Sequence, residues 1–195
     1  MYFSLADLIT DITQNSAEAG ASLIELTVAE TVDSSGAGEL RFTVKDNGKG
    51  MTNDEIKLAQ DPFVTDGIKH PNRKVGLGLP FLIQTAGQSG GGWKIKSGKR
   101  AAAQDTELPF TTTVSAWFDL GNVDTPPTGD IPGMFRTVLL FNGPAETVLR
   151  RKREAPQGQF DYEIRKTELA DVLGGLEDAH SLILLDKYLR SLEQQ

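Results

Sequence analysis

No cysteine occurs in the chain, so disulfides, thiolate metal sites and a cysteine nucleophile are excluded. Histidine is nearly as scarce. His70 and His180 are the two present, too few for a histidine-rich metal centre. No apolar run approaches the ~20 residues needed to cross a bilayer. The opening Met1-Tyr-Phe-Ser-Leu-Ala-Asp7 lacks the basic stretch of a signal peptide. A soluble, cytoplasmic protein with no membrane contact is the expectation. Positive charge is also in deficit, with 20 Lys and Arg against 27 Asp and Glu, a net charge of −7. The excess is spread over both halves. It argues against unassisted binding to nucleic acid or to an anionic membrane, short of a local basic patch.

What is present suffices for a packed core. The 195 residues are 38% hydrophobic and 24% charged, the balance of a globular chain. Leu5, Leu8, Ile9 and Ile12 recur at helical spacing, and Gly20 supplies a stop, so a helix is expected over 3–19. Ile24, Leu26 and Val28 alternate, as do Leu40, Phe42 and Val44, with Asp33-Ser-Ser-Gly-Ala-Gly38 between them. That pattern predicts a hairpin. Thr52-Asn-Asp-Glu55 is a capping box opening a short helix to Gln60. Residues 61–78, with Pro62, Gly67, Pro71, Gly76 and Gly78, read as a long functional loop, and Pro80 as the first residue of the next helix. Trp93–Ser97 and Thr111–Phe118 read as strands. The order α-β-β-α-loop-α-β-β predicts an α+β layer fold, with helices on one face of a mostly antiparallel sheet.

Asp124-Thr-Pro126-Pro127-Thr-Gly-Asp130 marks a boundary. Residues 1–122 are expected as one domain and 123–195 as a C-terminal extension of unknown role. Within the extension a helix is expected over 131–141, and strands over 146–153 and 159–165 flank the Ala155-Pro-Gln-Gly158 turn. Leu182, Leu185, Tyr188, Leu189 and Leu192 form an amphipathic C-terminal helix, read as packing on the body, with a partner surface as the alternative.

Three segments carry oxygen ligands and glycines in patterns suited to a nucleotide. Asp11 and Asn15 are four apart on a helix and share a face. Mg²⁺ takes hard oxygen ligands, several from phosphates and waters, so one protein carbonyl can suffice. Asp46-Asn-Gly48-Lys-Gly50-Met51 follows a strand. Its aspartate is an acceptor, its glycines let the backbone approach a ring, and Met51 is an adaptable apolar neighbour. Lys74-Val-Gly76-Leu77-Gly78-Leu precedes a helix, where backbone N–H groups can hold phosphate oxygens, with Lys74 and Lys69 adding charge. Alone, each segment also has an ordinary structural role. Asp11 and Asn15 can be solvent-facing helix residues, and Asp46-Asn-Gly is common turn chemistry. The third glycine of a dinucleotide fingerprint is absent, and Trp93 separates Gly92 from Lys94 where a P-loop needs them adjacent.

In this order the three segments resemble the N, G1 and G2 boxes of the GHKL ATPases, a superfamily that includes gyrase B, ninety-kilodalton heat-shock chaperones, histidine kinases and MutL proteins. The resemblance implies the Bergerat fold, a two-layer α/β sandwich on a mixed sheet, binding ATP with Mg²⁺. It implies Asn15 as the Mg²⁺ ligand and Asp46 as acceptor for the adenine amino group, with Gly48, Gly50 and Met51 beside the base. Gly76, Leu77 and Gly78 would lie at the phosphates. Asp61-Pro-Phe63-Val-Thr65 resembles the segment before the ATP lid, with Phe63 packing under the lid and Thr65 in reach of a phosphate. ATP-hydrolysing members carry a glutamate where this chain has Asp11, which is shorter by about 1 Å of reach; misplacement of that order costs about a hundredfold in rate.

Asn15-Ser-Ala-Glu18-Ala-Gly-Ala looks MutL-like, whereas Lys74-Val-Gly-Leu-Gly-Leu-Pro looks closer to a histidine kinase. As a whole the chain is similar to short standalone bacterial ATP-binding proteins of the histidine-kinase-like group. His70 falls in the lid region and His180 in the tail, where it is read as capping or packing, so autophosphorylation is not expected. Two functions follow from the resemblance. ATP is hydrolysed with Asp11 activating water, or its phosphoryl group passes to a serine or histidine of a partner protein. Alternatively, ATP orders residues 61–78 and switches a partner surface without turnover.

Overall fold

Strict alternation of apolar and polar residues builds the sheet. In the computed structural model, which describes residues 3–60, 78–99 and 110–194, Leu23–Val32 forms β1 and Gly38–Asp46 forms β2, joined as an antiparallel hairpin. Ile24, Leu26 and Val28 share one face with Leu40, Phe42 and Val44, and all six are buried. The opposite face carries Thr27, Arg41, Thr43 and Lys45, so it meets water. Gly92–Ser97 forms β3 and Thr112–Asp119 forms β4. Glu146–Ala155 forms β5 and Gly158–Arg165 forms β6, a tight hairpin turning at Pro156-Gln157. The six strands run in the order β3-β4-β2-β1-β5-β6. Every pairing is antiparallel except β1 with β5, so the sheet is mixed, as expected.

The helices cover the buried face. Leu5–Glu18 is α1, whose Leu5, Leu8, Ile9 and Ile12 lie against the sheet. Gly78–Gln88 is α3 and Ile131–Leu139 is α4; these flank α1 on either side. Ala179–Leu192 is α6, which packs on α4 through the buried Leu185 and Leu189. The short α2, Asn53–Gln60, sits near α3 and β3. Each fully buried Leu, Ile or Phe contributes roughly 1.5–3 kcal/mol relative to exposure, so this single apolar layer is the main source of stability.

Side chains fix the helix ends. Ser4 caps α1 by accepting the Asp7 N–H. The first two donors of α1 leave the helix altogether: Leu5 N–H bonds Pro127 O at 2.9 Å and Ala6 N–H bonds Thr128 O at 3.0 Å. The expected capping box closes α2 in both directions, Glu55 N to Thr52 Oγ1 at 3.2 Å and Thr52 N to Glu55 Oε2 at 2.8 Å. Two expectations are corrected, and one element was not expected at all. Gly78, placed in the loop, opens α3, so Pro80 lies within the first turn rather than at its start. A further helix, α5, spans Lys166–Leu173, where the apolar residues Leu169, Ala170 and Leu173 form too short a stripe to announce it. His180 does not cap α6. Asp178 does, accepting from His180 N and Ser181 N, and the imidazole is exposed.

One charged cluster is buried at the far end of the sheet. Arg151, 2% exposed, reaches Glu30 on β1 and Glu193 beyond α6, and Arg153 also bonds Glu30 at 3.2 Å. Tyr162 donates to Glu193 at 2.8 Å. Burial and the neighbouring Glu193 carboxylate push the Tyr162 hydroxyl well above the usual phenol range.

Candidate functional site

At the other end of the same face, β2 finishes on Asp46, and its carboxylate is almost wholly buried. Alternation along the strand forces this. Leu40, Phe42, Val44 and Asp46 occupy successive inward positions, so the last inward residue is an acid. Among the described residues the carboxylate accepts from two donors, Ser16 Oγ to Oδ2 and Gly48 N to Oδ1, each at 2.9 Å. Burial pushes the Asp46 carboxyl above its ordinary value; the Gly48 and Ser16 hydrogen bonds pull the other way. Among the described residues the result is a fixed, buried acceptor with two partners, suited to a ligand that brings its own proton donor.

The loop after Asp46 is stapled on three sides. Asn47 Oδ1 accepts from Ser22 N and Leu23 N, each at 2.9 Å, tying the loop to the start of β1. Lys49 N donates to Ala19 O beyond α1, and Met51 N donates to Ser97 Oγ on β3. Gly50 has φ +64, and a Cβ there would collide with the Gly98 carbonyl oxygen, so only glycine fits. Thr111 Oγ1 donates to Gly48 O at 2.8 Å. Met51 itself is half-buried at the loop's end.

Asp11 and Asn15 lie one turn apart on α1, half-buried, and both face the first residue of α3. A Cβ added to Gly78 would fall 2.6 Å from Asp11 Oδ2 and 3.3 Å from Asn15 Nδ2. The carboxylate, the amide and the positive end of an 11-residue helix therefore converge. Ser16, next to Asn15, turns inward to Asp46, so one turn of α1 joins the two halves of the site. Phe63, Thr65, Lys69, Lys74, Gly76 and Leu77 lie outside the described residues, as does His70. Sequence reasoning gave no role to Ser16, Asn47, Ser97 or Thr111, which brace Asp46 and the loop after it. Only Ser16 carried a signal, being four residues past Ile12 and so on the inward face.

A family model described as histidine kinase-, DNA gyrase B-, and HSP90-like ATPase matches residues 3–122. The chain belongs to this family of ATPases. As a member, it is an ATP-binding α+β domain with the family's open mixed sheet. Among curated proteins it is similar to the DNA mismatch repair protein MutL of Thermus aquaticus, 30% identical over 125 residues. The match takes in 57% of this chain and 22% of that protein, so the chain spans about a fifth of its relative's length. Among solved structures, the N-terminal domain of a DNA repair protein aligns with a TM-score of 0.53 at 13% identity, covering 93% of this chain and 59% of the other. The MutL ATPase domain of Aquifex aeolicus complexed with ADP aligns with a TM-score of 0.44 at 13% identity, covering 90% of this chain and 70% of that one. No helix among the described residues is long and apolar enough to cross a membrane.

Proposed function

We propose that the chain binds Mg²⁺-ATP, with adenine read by Asp46 and the phosphates at the start of α3, and that Asp11 orients the attacking nucleophile in slow hydrolysis or phosphoryl transfer to a partner protein. The observation that carries this reading is the convergence of Asp11, Asn15 and Gly78 at one helix N-terminus. Asn15 fits a Mg²⁺ site in which phosphates and waters supply the remaining oxygens, since the ion takes few protein ligands beside a nucleotide. Bound there, the ion would neutralise phosphate charge. The chain's own residues do the rest. The N–H groups opening α3 hold phosphate oxygens, Asp46 accepts the amino proton of the base, and the Asp11 carboxylate lies at the phosphate end to orient a water or hydroxyl. Residues 1–122 are the ATP-binding unit in this reading, and residues 123–195 an extension that communicates with it.

The test is single-turnover and steady-state hydrolysis in the wild type and in Asp11→Ala, with nucleotide affinity measured on the same samples. Retained affinity with turnover lowered at least tenfold supports the assignment. Equal turnover in both removes Asp11 from the chemistry.

A second reading, a switch without turnover, is favoured by one observation. The helix bearing Asp11 and Asn15 has its first two backbone donors bonded to Pro127 and Thr128 and packs along α4. A shift of α1 on binding ATP would reach the extension directly. Tight binding with no hydrolysis, alone or with a partner, supports this reading over the first.

A further inference from the structure

The sheet ends in two edge strands, β3 and β6. Along β3 the ladder has a fixed phase, because Gly98 N–H bonds Thr111 O at 3.0 Å. Hydrogen-bonded and non-bonded pairs alternate in an antiparallel ladder. Lys94 and Lys96 share the phase of Gly98, so their backbone groups point at β4. The N–H and C=O of Trp93 and Ile95 point the other way, and among the described residues no backbone group meets them. Side chains alternate between the two faces of the sheet. Trp93 and Ile95 lie on the helix side, partly buried against the core, whereas Lys94 and Lys96 are exposed on the opposite face. Among the described residues neither lysine has an acidic partner.

Helix α2 stands beside this strand and buries none of its residues; Leu58 is 48% exposed. The edge therefore offers what strand addition uses: backbone groups in register, an apolar side only partly covered, and a charged side. Edge lysines guard a sheet against indiscriminate pairing, and here they select the partner. A second β3, antiparallel about Ile95, would set Lys94 against Lys96 twice, and like charges directly opposite are destabilising. The β6 edge of a second copy carries acids, but Glu163 is already bonded by Arg150 at 2.6 Å and Arg165 at 2.8 Å. We propose that β3 is a docking edge for an extended acidic segment of a partner protein, with acids at alternate positions facing Lys94 and Lys96 and apolar residues between them facing Trp93 and Ile95.

Residues two apart on a strand are about 7 Å apart, so both ion pairs form only with acids at every second position of an extended chain. An acidic helix has its acids three or four residues apart on one face and no backbone groups to spare. A nucleic acid strand brings charge but no peptide groups for Trp93 and Ile95. The docking edge uses no residue of the proposed ATP site, so it stands apart from the roles given to Asp11 and Asp46.

The test is fluorescence anisotropy of a labelled Glu-Val-Glu-Val-Glu-Val-Glu peptide with the full chain. Two variants are compared with the wild type: Lys94→Glu with Lys96→Glu, and Ile95→Pro, which removes an N–H that faces the open edge and not β4. The wild type binds saturably. The double charge reversal lowers affinity about tenfold, two exposed ion pairs' worth, and Ile95→Pro lowers it at least as much, while ATP affinity holds in both. No binding by the wild type overturns the proposal. So does Ile95→Pro binding as tightly as the wild type, since charge alone would then hold the peptide. Equal competition by a short oligothymidylate overturns it likewise, as does self-association of the chain that the charge reversal dissolves. Should Ile95→Pro fail to fold, the same peptide with N-methylated valines replaces it: lost binding supports the edge, and equal binding overturns it.

Discussion

Two buried carboxylates sit on the same face of the β1–β2 hairpin, at opposite ends, and their surroundings differ in kind. Glu30 is met by two arginines, and the cluster continues through Arg151 to Glu193 and Tyr162. Its acceptor capacity is taken up by the protein. Asp46 has a hydroxyl and a backbone N–H and, among the described residues, no cation. A buried acid matched by cations serves the fold, because the desolvation of both ions is offset within the chain. A buried acid held only by neutral donors keeps its charge unmatched, and that is where a ligand gains by bringing a donor.

The largest expected effect is at the saturated end. Arg151→Ala leaves Glu30 buried without its main partner and is expected to cost about 3–5 kcal/mol of stability, measured by urea unfolding. Nucleotide affinity of the folded fraction stays the same. A variant that folds normally but loses ATP affinity would erase the distinction between the two ends.

The open end responds the other way. Asp46→Asn removes a charged acceptor and is expected to weaken ATP binding by roughly 1.5–3 kcal/mol, without loss of stability. The wild type carries a matching pH signature. Because the folded pKa of Asp46 is raised by burial, the folded state binds this proton more tightly than the unfolded one. Its ionisation therefore costs stability at neutral pH, and the cost is relieved as pH falls through the raised pKa. ATP affinity moves oppositely, falling over that same acid range as the acceptor is protonated. Calorimetry and thermal unfolding across pH 4–7 check both signs, and Asp46→Asn should flatten each curve.

The smallest effect is exposed. The Lys99 ammonium bonded to Glu55, helped by the Thr52 N–H, holds the Glu55 carboxyl down at about 2. Lys99→Ala lets it rise toward the ordinary glutamate value, as read by NMR titration, while stability changes little because solvent screens the pair. A large stability loss would mean that surface and buried pairs are less distinct here than their exposure suggests.

The sequence displayed one end of this comparison far better than the other. Asp46 was legible because turn glycines follow an alternating strand, and Asp11 and Asn15 because four residues make one helical turn. The strands were legible through period two, down to the Pro156-Gln157 turn. Arg151 was not, because an arginine at an inward strand position looks like any charged residue until Glu30, 121 positions earlier, is brought against it. Ser97 was silent for the same reason: a hydroxyl carries no pattern, and only the fold brings it to the Met51 N–H. The parallel pairing of β1 with β5 likewise left no local trace.

That parallel pairing sets the order in which the molecule can be assembled. β1 finds β2 across a short turn, but its other edge stays open until residues 146–155 have been made. Closure of so long a loop is slow relative to local hairpins. Until it happens, an emerging chain would already hold Asp46 at the end of β2 while lacking both the strand that seals β1 and the Pro127 and Thr128 carbonyls that anchor α1. The buried acid at the end of β2 is thus an early product of folding, and the helix that carries Asp11 and Asn15 is locked only by a late one.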